Sequence, residues 1–196
     1  MGLVIRPRSA AALAAATILA LGVWLKTAAV AAAVEGEALT FERRVKAAFL
    51  YKFAGYVEWP PQAFAGPDDP VVIAVVGADA VAAELEQVVP GRRIGGRSIT
   101  VHRLSRGESP EGEQILFIGR DVERAQAFEL LSRARGKPML TVTEADSGWP
   151  TGSVINFVIV DDKVRFEISA AAAGRNGLRL GSQLLAVARL ARTEPP

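Results

Sequence analysis

The run Val-Val-Ile-Ala-Val-Val-Gly at residues 71–77 constrains the fold most, because it is continuously apolar and mostly β-branched. A run of this kind predicts a strand whose two faces are both covered, as the strands of parallel sheets are. The residues after this run have helical character and end at Pro90-Gly91. A strand followed by a helix predicts a layered fold in which helices cover a sheet.

Three further strand-like segments and three helical segments repeat this alternation along the chain. The predicted strands are residues 114–119, residues 136–142 and a short strand that contains Ile99 and Val101. The predicted helices cover residues 80–89, a segment that follows Asp121 and runs to residue 135, and residues 176–190. Asp79 and Asp121 lie where a side chain caps a helix.

A hairpin is predicted near the C-terminus, where residues 154–160 and 163–169 flank Asp161-Asp162. In its second arm, Val164, Phe166 and Ile168 alternate with Arg165 and Glu167. The predicted fold is therefore a single-domain α/β sandwich with a mainly parallel sheet, flanking helices and an antiparallel C-terminal hairpin.

Residues 41–60 predict a first helix that packs in the core and ends at Gly55. One apolar face is formed by Phe41, Val45, Ala48, Phe49, Phe53 and Tyr56, a second strip by Ala47, Leu50 and Ala54, and a narrow polar edge by Glu42, Arg43, Arg44 and Lys46. We expect the helix itself to be structural. The aromatic turn after it, with Tyr56, Trp59 and Phe64, is a candidate contact surface for a partner, with Trp59 mostly buried.

Residues 1–33 are typical of a cleaved secretory signal, with Arg6 and Arg8 ahead of an apolar stretch and small residues near Ala33. An uncleaved N-terminal anchor is the alternative. The mature domain is predicted to cover residues 34–192, and residues 193–196 to form a tail. Without the leader the chain keeps 20 basic and 21 acidic residues, so the formal net charge of +2 is no indication of nucleic-acid binding.

The sequence is poor in histidine and cysteine, which often serve in catalysis and metal binding. The chain has no cysteine and one histidine, His102, so thiol chemistry, disulfides and a histidine pair for a metal are excluded. We expect no cofactor, no metal and no catalytic residue. A hydrolase that uses Glu58, Glu144 or Asp146 is the least favoured hypothesis. The βα turns at Gly77 and Gly119 are candidates for the edges of a small-ligand crevice.

Arg165, Glu167 and Arg175 are the remaining candidate site residues. As ordinary solvated charges they would contribute little. As a patch they would contact a partner protein or an anion, because arginine recognises carboxylates well.

Four sequence blocks together resemble the YfiR family of small periplasmic proteins. They are VKAAFLYKFAGYVEWP at residues 45–60, QILFIGR at residues 114–120, GKPMLTVTEAD at residues 136–146, and INFVIVDDKVRFEIS with GLRLGSQLLAVAR within residues 155–189. The resemblance implies a non-enzymatic, dimeric repressor of the periplasmic sensor portion of an inner-membrane diguanylate cyclase. Such a repressor lowers cyclic-di-GMP and limits biofilm formation. The redox control found in cysteine-containing relatives is not implied here. A periplasmic protein that binds a small molecule for sensing or transport is the alternative function.

Overall fold

The computed structural model describes residues 36–105, 107–145 and 150–192. The predicted leader and the predicted C-terminal tail lie outside the described residues. The chain divides into two units, residues 1–41 and residues 42–196, and every described strand belongs to the second. None of the described helices is both long enough and apolar enough to cross a membrane.

The helices and strands alternate as the sequence predicts over the first two thirds of the domain. The α-helices are α1 (residues 36–55), α2 (Asp79–Val88), α3 (Arg124–Ala134), α4 (Ala170–Arg175) and α5 (Ser182–Val187), and a 3-10 turn covers Pro61–Ala63. The strands are β1 (Val57–Glu58), β2 (Val71–Val76), β3 (Arg93–Ile94), β4 (Arg97–Arg103), β5 (Ile115–Ile118), β6 (Leu140–Glu144), β7 (Ile155–Val160), β8 (Lys163–Ser169), β9 (Arg179–Leu180) and β10 (Leu190–Arg192).

Eight of the described strands form one sheet in the order β10-β8-β7-β6-β5-β2-β4-β3. The neighbours from β4 to β7 pair in parallel, and β7 pairs with β8 antiparallel. The predicted mixed α/β fold with a mainly parallel sheet and a C-terminal hairpin is therefore confirmed. β1 and β9 form a separate two-stranded antiparallel sheet that the sequence did not predict.

The central strands are buried on both faces, as the run at residues 71–77 predicts. Ile73 and Val75 belong to a large core that also includes apolar residues of α1, α2, α4 and α5. Ala74 and Val76 belong to a smaller core on the opposite face, where they cluster with Leu130 of α3. α1 and α3 therefore cover opposite faces of the sheet.

An aromatic cluster fills the large core beneath α1. The Phe53 ring lies 5.8 Å from the Phe157 ring and 5.0 Å from the Phe166 ring, and Phe49 lies 5.3 Å from Phe166. Aromatic pairs at these distances stabilise a core beyond the area they bury. The cluster fixes α1 to the β7–β8 hairpin.

The hairpin between β7 and β8 has a two-residue turn with positive φ angles. Asp161 and Asp162 are its two central residues, with φ of 50° and 56°. Positive φ at both positions is the signature of a type I′ turn, whose twist matches the flanking strands. Aspartate tolerates this region better than most residues, which explains how a turn without glycine forms here.

The predicted C-terminal helix over residues 176–190 is wrong. The Ser169 hydroxyl accepts a hydrogen bond from the Ala172 amide and starts α4 earlier, directly after β8. Gly177 has a φ of 68° and ends that helical segment. The remaining residues form β9, α5 and β10, so Leu178 and Leu184 reach the core from different elements.

Three predicted side-chain roles also differ. Asp79 does not cap α2, because it lies inside the first turn of that helix. Asp121 does not cap α3, because that helix starts three residues later. Neither helix has a side-chain cap. Lys46, predicted on the polar edge of α1, is only 2 % exposed. The polar edge of α1 is therefore also covered at this position, and the Lys46 cation lies inside the fold.

A bidentate ion pair joins α2 to β4. Arg103 donates from Nε and Nη2 to the two carboxylate oxygens of Glu86 at 2.8 and 2.7 Å. This hydrogen bonding holds the pKa of Glu86 below its ordinary value. The pair is exposed, so its contribution to stability is small. That contribution is present above the ordinary glutamate pKa and is lost as the pH falls through the depressed value.

Replacing Arg103 by glutamine is expected to raise the pKa of Glu86 towards its ordinary value, because the guanidinium that stabilises the carboxylate is removed. A carboxyl-carbon NMR titration measures this directly. Arg179→Gln, which removes a cation near Glu58 instead, serves as the control. An unchanged Glu86 pKa in the Arg103 variant would contradict the assignment.

Candidate functional site

The turns at Gly77 and Gly119, which are predicted to edge a ligand crevice, are in direct contact with each other. A Cβ on Gly119 would lie 2.2 Å from the Gly77 carbonyl oxygen and 2.7 Å from the Ala78 Cβ. The space directly between the two turns is therefore closed, and each turn lines a separate hollow, one with Gly77 and Arg103 and one with Gly119 and Arg120. Glycine is required at residue 119 because any side chain would meet the neighbouring turn.

A cleft of about 560 Å³, the volume of a small-molecule site, opens beside Gly119, where β5 and β6 end. Arg120, Arg124 and Glu144 supply its charges, and Phe128 forms an exposed apolar wall. Thr143 closes the base and contacts Ser153 and Asn156 by hydrogen bonds of 2.9 and 2.8 Å. A ligand here would meet both cations and a carboxylate.

Two charges that line this cleft, Arg120 and Glu144, contact Glu42 and Lys46, and we call these four residues the four-charge cluster. Lys46 Nζ lies 2.6 Å from Glu144 Oε1 and also contacts Glu42. Arg120 contacts Glu144, and its Nη2 lies 2.9 Å from Glu42 Oε1. The charges balance, which is the condition under which buried ions are tolerated. The cluster ties α1 to the ends of β5 and β6.

Two of the three carboxylates proposed for a hydrolase, Glu58 and Glu144, belong to different ion pairs. Glu144 is held by two cations in the four-charge cluster, whereas Glu58 lies in β1 and is exposed beside Arg179. Asp146 lies outside the described residues. A general acid and base must face one substrate, and Glu58 and Glu144 belong to separate ion pairs.

The aromatic turn after α1 forms a shallow hollow. Trp59 is partly buried, and its indole Nε1 donates to the Ala54 carbonyl at 3.1 Å. Phe64 packs edge-on against Trp59, and the Arg97 guanidinium lies 3.8 Å from the centre of the Phe64 ring. Arg97 also donates to two backbone carbonyls of the same turn. These contacts fix the turn, so Trp59 and Phe64 have structural roles whether or not a partner contacts them.

Tyr56 and Arg165 lie together, on a groove between α1, β8 and α5 that we call the α1–β8–α5 groove. Its lining residues are Phe49, Lys52, Phe53, Tyr56, Val164, Arg165, Phe166, Leu184 and Val187. The aromatic cluster forms its floor, so apolar side chains of the core reach the surface here. The structure thus brings together two of the six candidate site residues.

Glu167 and Arg175 are not part of the groove. Glu167 is 8 % exposed and accepts a hydrogen bond of 2.9 Å from Arg189, the residue directly before β10. The expectation that Glu167 and Arg165 protrude together is therefore wrong. Arg175 is exposed at the end of α4.

His102 lies on β4 and contacts two carboxylates. Its Nδ1 is 3.0 Å from Glu113 Oε1, and its Nε2 is 3.5 Å from Glu108 Oε1. Glu113 is buried, and its Oε2 has no hydrogen-bond partner. Even so, no group of histidine and acidic side chains among the described residues is arranged to hold a metal ion.

Sequence reasoning did not identify Lys52 or Val187 as surface residues of a site. Lys52 lies within a helix that is predicted to be structural, and Val187 falls on the apolar strip of a longer predicted helix. The break of that helix at Gly177 and the short length of α5 leave Val187 65 % exposed. The Gly-rich spacing of residues 174–181 is the sequence signal for that break.

Comparison with known proteins places most of the domain in one family. A family model described as YfiR/HmsC-like matches residues 43–189, which is more than half of the chain. The match begins inside α1 and ends just before β10. No individual curated protein matches the chain.

Proposed function

This chain belongs to the YfiR/HmsC-like family, and on that premise we propose that it is an exported regulator that binds and represses a membrane-bound diguanylate cyclase. Members of this family act in the regulation of diguanylate cyclase signalling. In the proposed mechanism the leader directs the domain to the periplasm and is cleaved. The domain then binds the periplasmic portion of the cyclase, as a homodimer, and lowers cyclic-di-GMP and biofilm formation.

The family match carries this proposal, because it includes the structural core rather than one motif. Residues 43–189 include the aromatic cluster, most of the four-charge cluster and the α1–β8–α5 groove. The pairing of Glu58 and Glu144 with different cations also supports the proposed non-enzymatic role. The α1–β8–α5 groove is a surface that a partner protein could contact.

Deleting the gene is expected to raise cyclic-di-GMP, because a repressor is removed. The nucleotide is quantified by mass spectrometry in the deletion strain and in strains complemented with the full chain or with residues 34–196 behind a new start codon. The full chain should restore the low level, and the leaderless form should not, because it stays away from the periplasmic portion of the cyclase. Unchanged cyclic-di-GMP on deletion, in a strain that contains a membrane cyclase of this type, would reject the repressor function.

A further inference from the structure

We propose that the α1–β8–α5 groove is a docking site for an apolar, carboxylate-bearing segment of a partner protein. The inference rests on the proposed function only in taking that partner to be the periplasmic portion of a diguanylate cyclase. The groove itself is defined by the described residues of three elements.

The floor of the groove is apolar and rigid. Phe53, Phe166 and Leu184 are buried beneath it, and the first two belong to the aromatic cluster. Tyr56 and Val187 stand beside this floor and are 37 % and 65 % exposed. Large apolar side chains exposed next to a fixed floor are suited to receive an anchor residue, since rigid pockets lose little entropy when they are filled.

The size of the groove favours an anchor side chain over a whole small molecule. Its volume is about 280 Å³, just below the range of pockets that enclose a drug-sized ligand. One or two large apolar side chains would fill it. The rest of the partner segment would then lie over the rim.

The rim carries two cations, Lys52 and Arg165, and the residues that line the groove include no acid. Neither cation makes an ion pair or a side-chain hydrogen bond in the described part of the chain. Residues 34–196 hold 20 basic and 21 acidic side chains, so the positive rim does not reflect the overall charge. Unpaired cations beside an apolar floor are complementary to carboxylates flanking an apolar anchor, and they would steer such a segment to the groove.

The chain's own leader is a poor occupant by the same criterion. Residues 1–34 contain Arg6, Arg8 and Lys26 and no acidic side chain. A cationic segment would be repelled by Lys52 and Arg165. The observations therefore favour a segment from another protein.

Two variants test the site. Val187→Asp places a charge beside the apolar floor, and Lys52→Glu with Arg165→Glu reverses the rim. The probe is the purified periplasmic portion of a diguanylate cyclase from the same organism, titrated calorimetrically against the purified protein. We expect each variant to bind at least ~10-fold more weakly, since an apolar contact or both steering charges are lost. Binding of the unmodified protein should weaken with added salt, whereas added salt should not weaken binding of the rim variant, because it screens a repulsion there.

Matched controls keep the test specific. Phe41→Asp alters an apolar side chain of similar exposure, 69 %, that does not line the groove. Lys137→Glu reverses an exposed cation in the turn before β6. Both controls should bind like the unmodified protein, and circular dichroism should show all variants folded.

The outcomes distinguish the docking site from the proposed function. Unchanged affinity in the folded groove variants, with binding by the unmodified protein, overturns the docking site and leaves the proposed function intact. Absence of binding by the unmodified protein, together with unchanged cyclic-di-GMP on deletion, overturns both. Loss of self-association in the groove variants with cyclase binding retained overturns the inference in favour of a second copy as occupant. Loss of binding to anionic phosphatidylglycerol vesicles with cyclase binding retained overturns it in favour of lipid.

Discussion

Replacing Gly119 by alanine is expected to lower the free energy of unfolding by about 3 kcal/mol, at the upper end of the usual cost of overpacking. The added Cβ would lie 2.2 Å from the Gly77 carbonyl oxygen. A backbone oxygen cannot swing aside as the end of a long side chain does, so β2 or β5 must shift. Both strands are central to the sheet, and the cost should appear as a lower urea midpoint with an unchanged m-value.

Gly174→Ala is the matched control. Gly174 lies in α4, and a Cβ there meets no atom within 4 Å. Alanine is a better helix former than glycine, so this variant should be as stable as the unmodified protein or more stable, by up to about 1 kcal/mol. A Gly119→Ala protein that unfolds at the unmodified midpoint would show that the two turns are not in contact.

Replacing Lys46 by methionine is expected to cost about 3 kcal/mol, the usual consequence of leaving one partner of a buried ion pair uncompensated. Methionine fills much of the space of the lysine stem, so the loss reports on charge more than on packing. Glu144 would keep Arg120 as a partner but lose the cation that lies 2.6 Å from its Oε1. Chemical denaturation at neutral pH measures the effect.

The second substitution Glu144→Gln should recover part of this loss, because it leaves Arg120 and Glu42 as a cluster of balanced charge. A double-mutant cycle isolates the coupling between the two side chains. Arg179→Ala removes an exposed pair with Glu58 and should change the unfolding free energy by less than about 1 kcal/mol. Additive effects of the Lys46 and Glu144 substitutions would contradict a direct interaction between them.

Periodicity located the central sheet because local signals and burial agree there. The run at residues 71–77 is apolar at every position, and β2 is buried on both faces. The β7–β8 hairpin followed from two strand-like arms around a two-residue turn. Lys46 could not be placed in this way, because one of its partners, Glu144, is 98 residues away in sequence. Nothing local distinguishes a lysine that faces solvent from one that meets such a partner.

The C-terminal segment shows how a helical pattern misleads. Leu178, Leu184, Leu185 and Ala188 fit a helical spacing, but a positive φ at Gly177 ends the preceding helix just before the first of them. The short β9 then pairs with β1, far away in the chain. A long-range backbone pairing outweighs a local propensity that is itself interrupted by glycine.

The α1–β8–α5 groove was predictable only in part, because its residues are brought together by long-range packing. The aromatic end of α1 pointed to Tyr56, and the exposed arm of the hairpin pointed to Arg165. Their proximity depends on the packing of Phe53 against Phe166, which no local spacing encodes. Val187 joins them only because α5 is short and ends beside α1.

The β1–β9 sheet joins the N-terminal and C-terminal parts of the groove. Val57 pairs with Leu180, and the Gly181 amide donates to the Tyr56 carbonyl at 2.8 Å, so these contacts hold α5 beside the end of α1. The groove walls come from residues 49–56, 164–166 and 184–187, which lie near the two ends of the domain and are synthesised far apart in time. A chain still being made has no such groove. The surface exists only once folding is finished, so an immature chain does not yet present it.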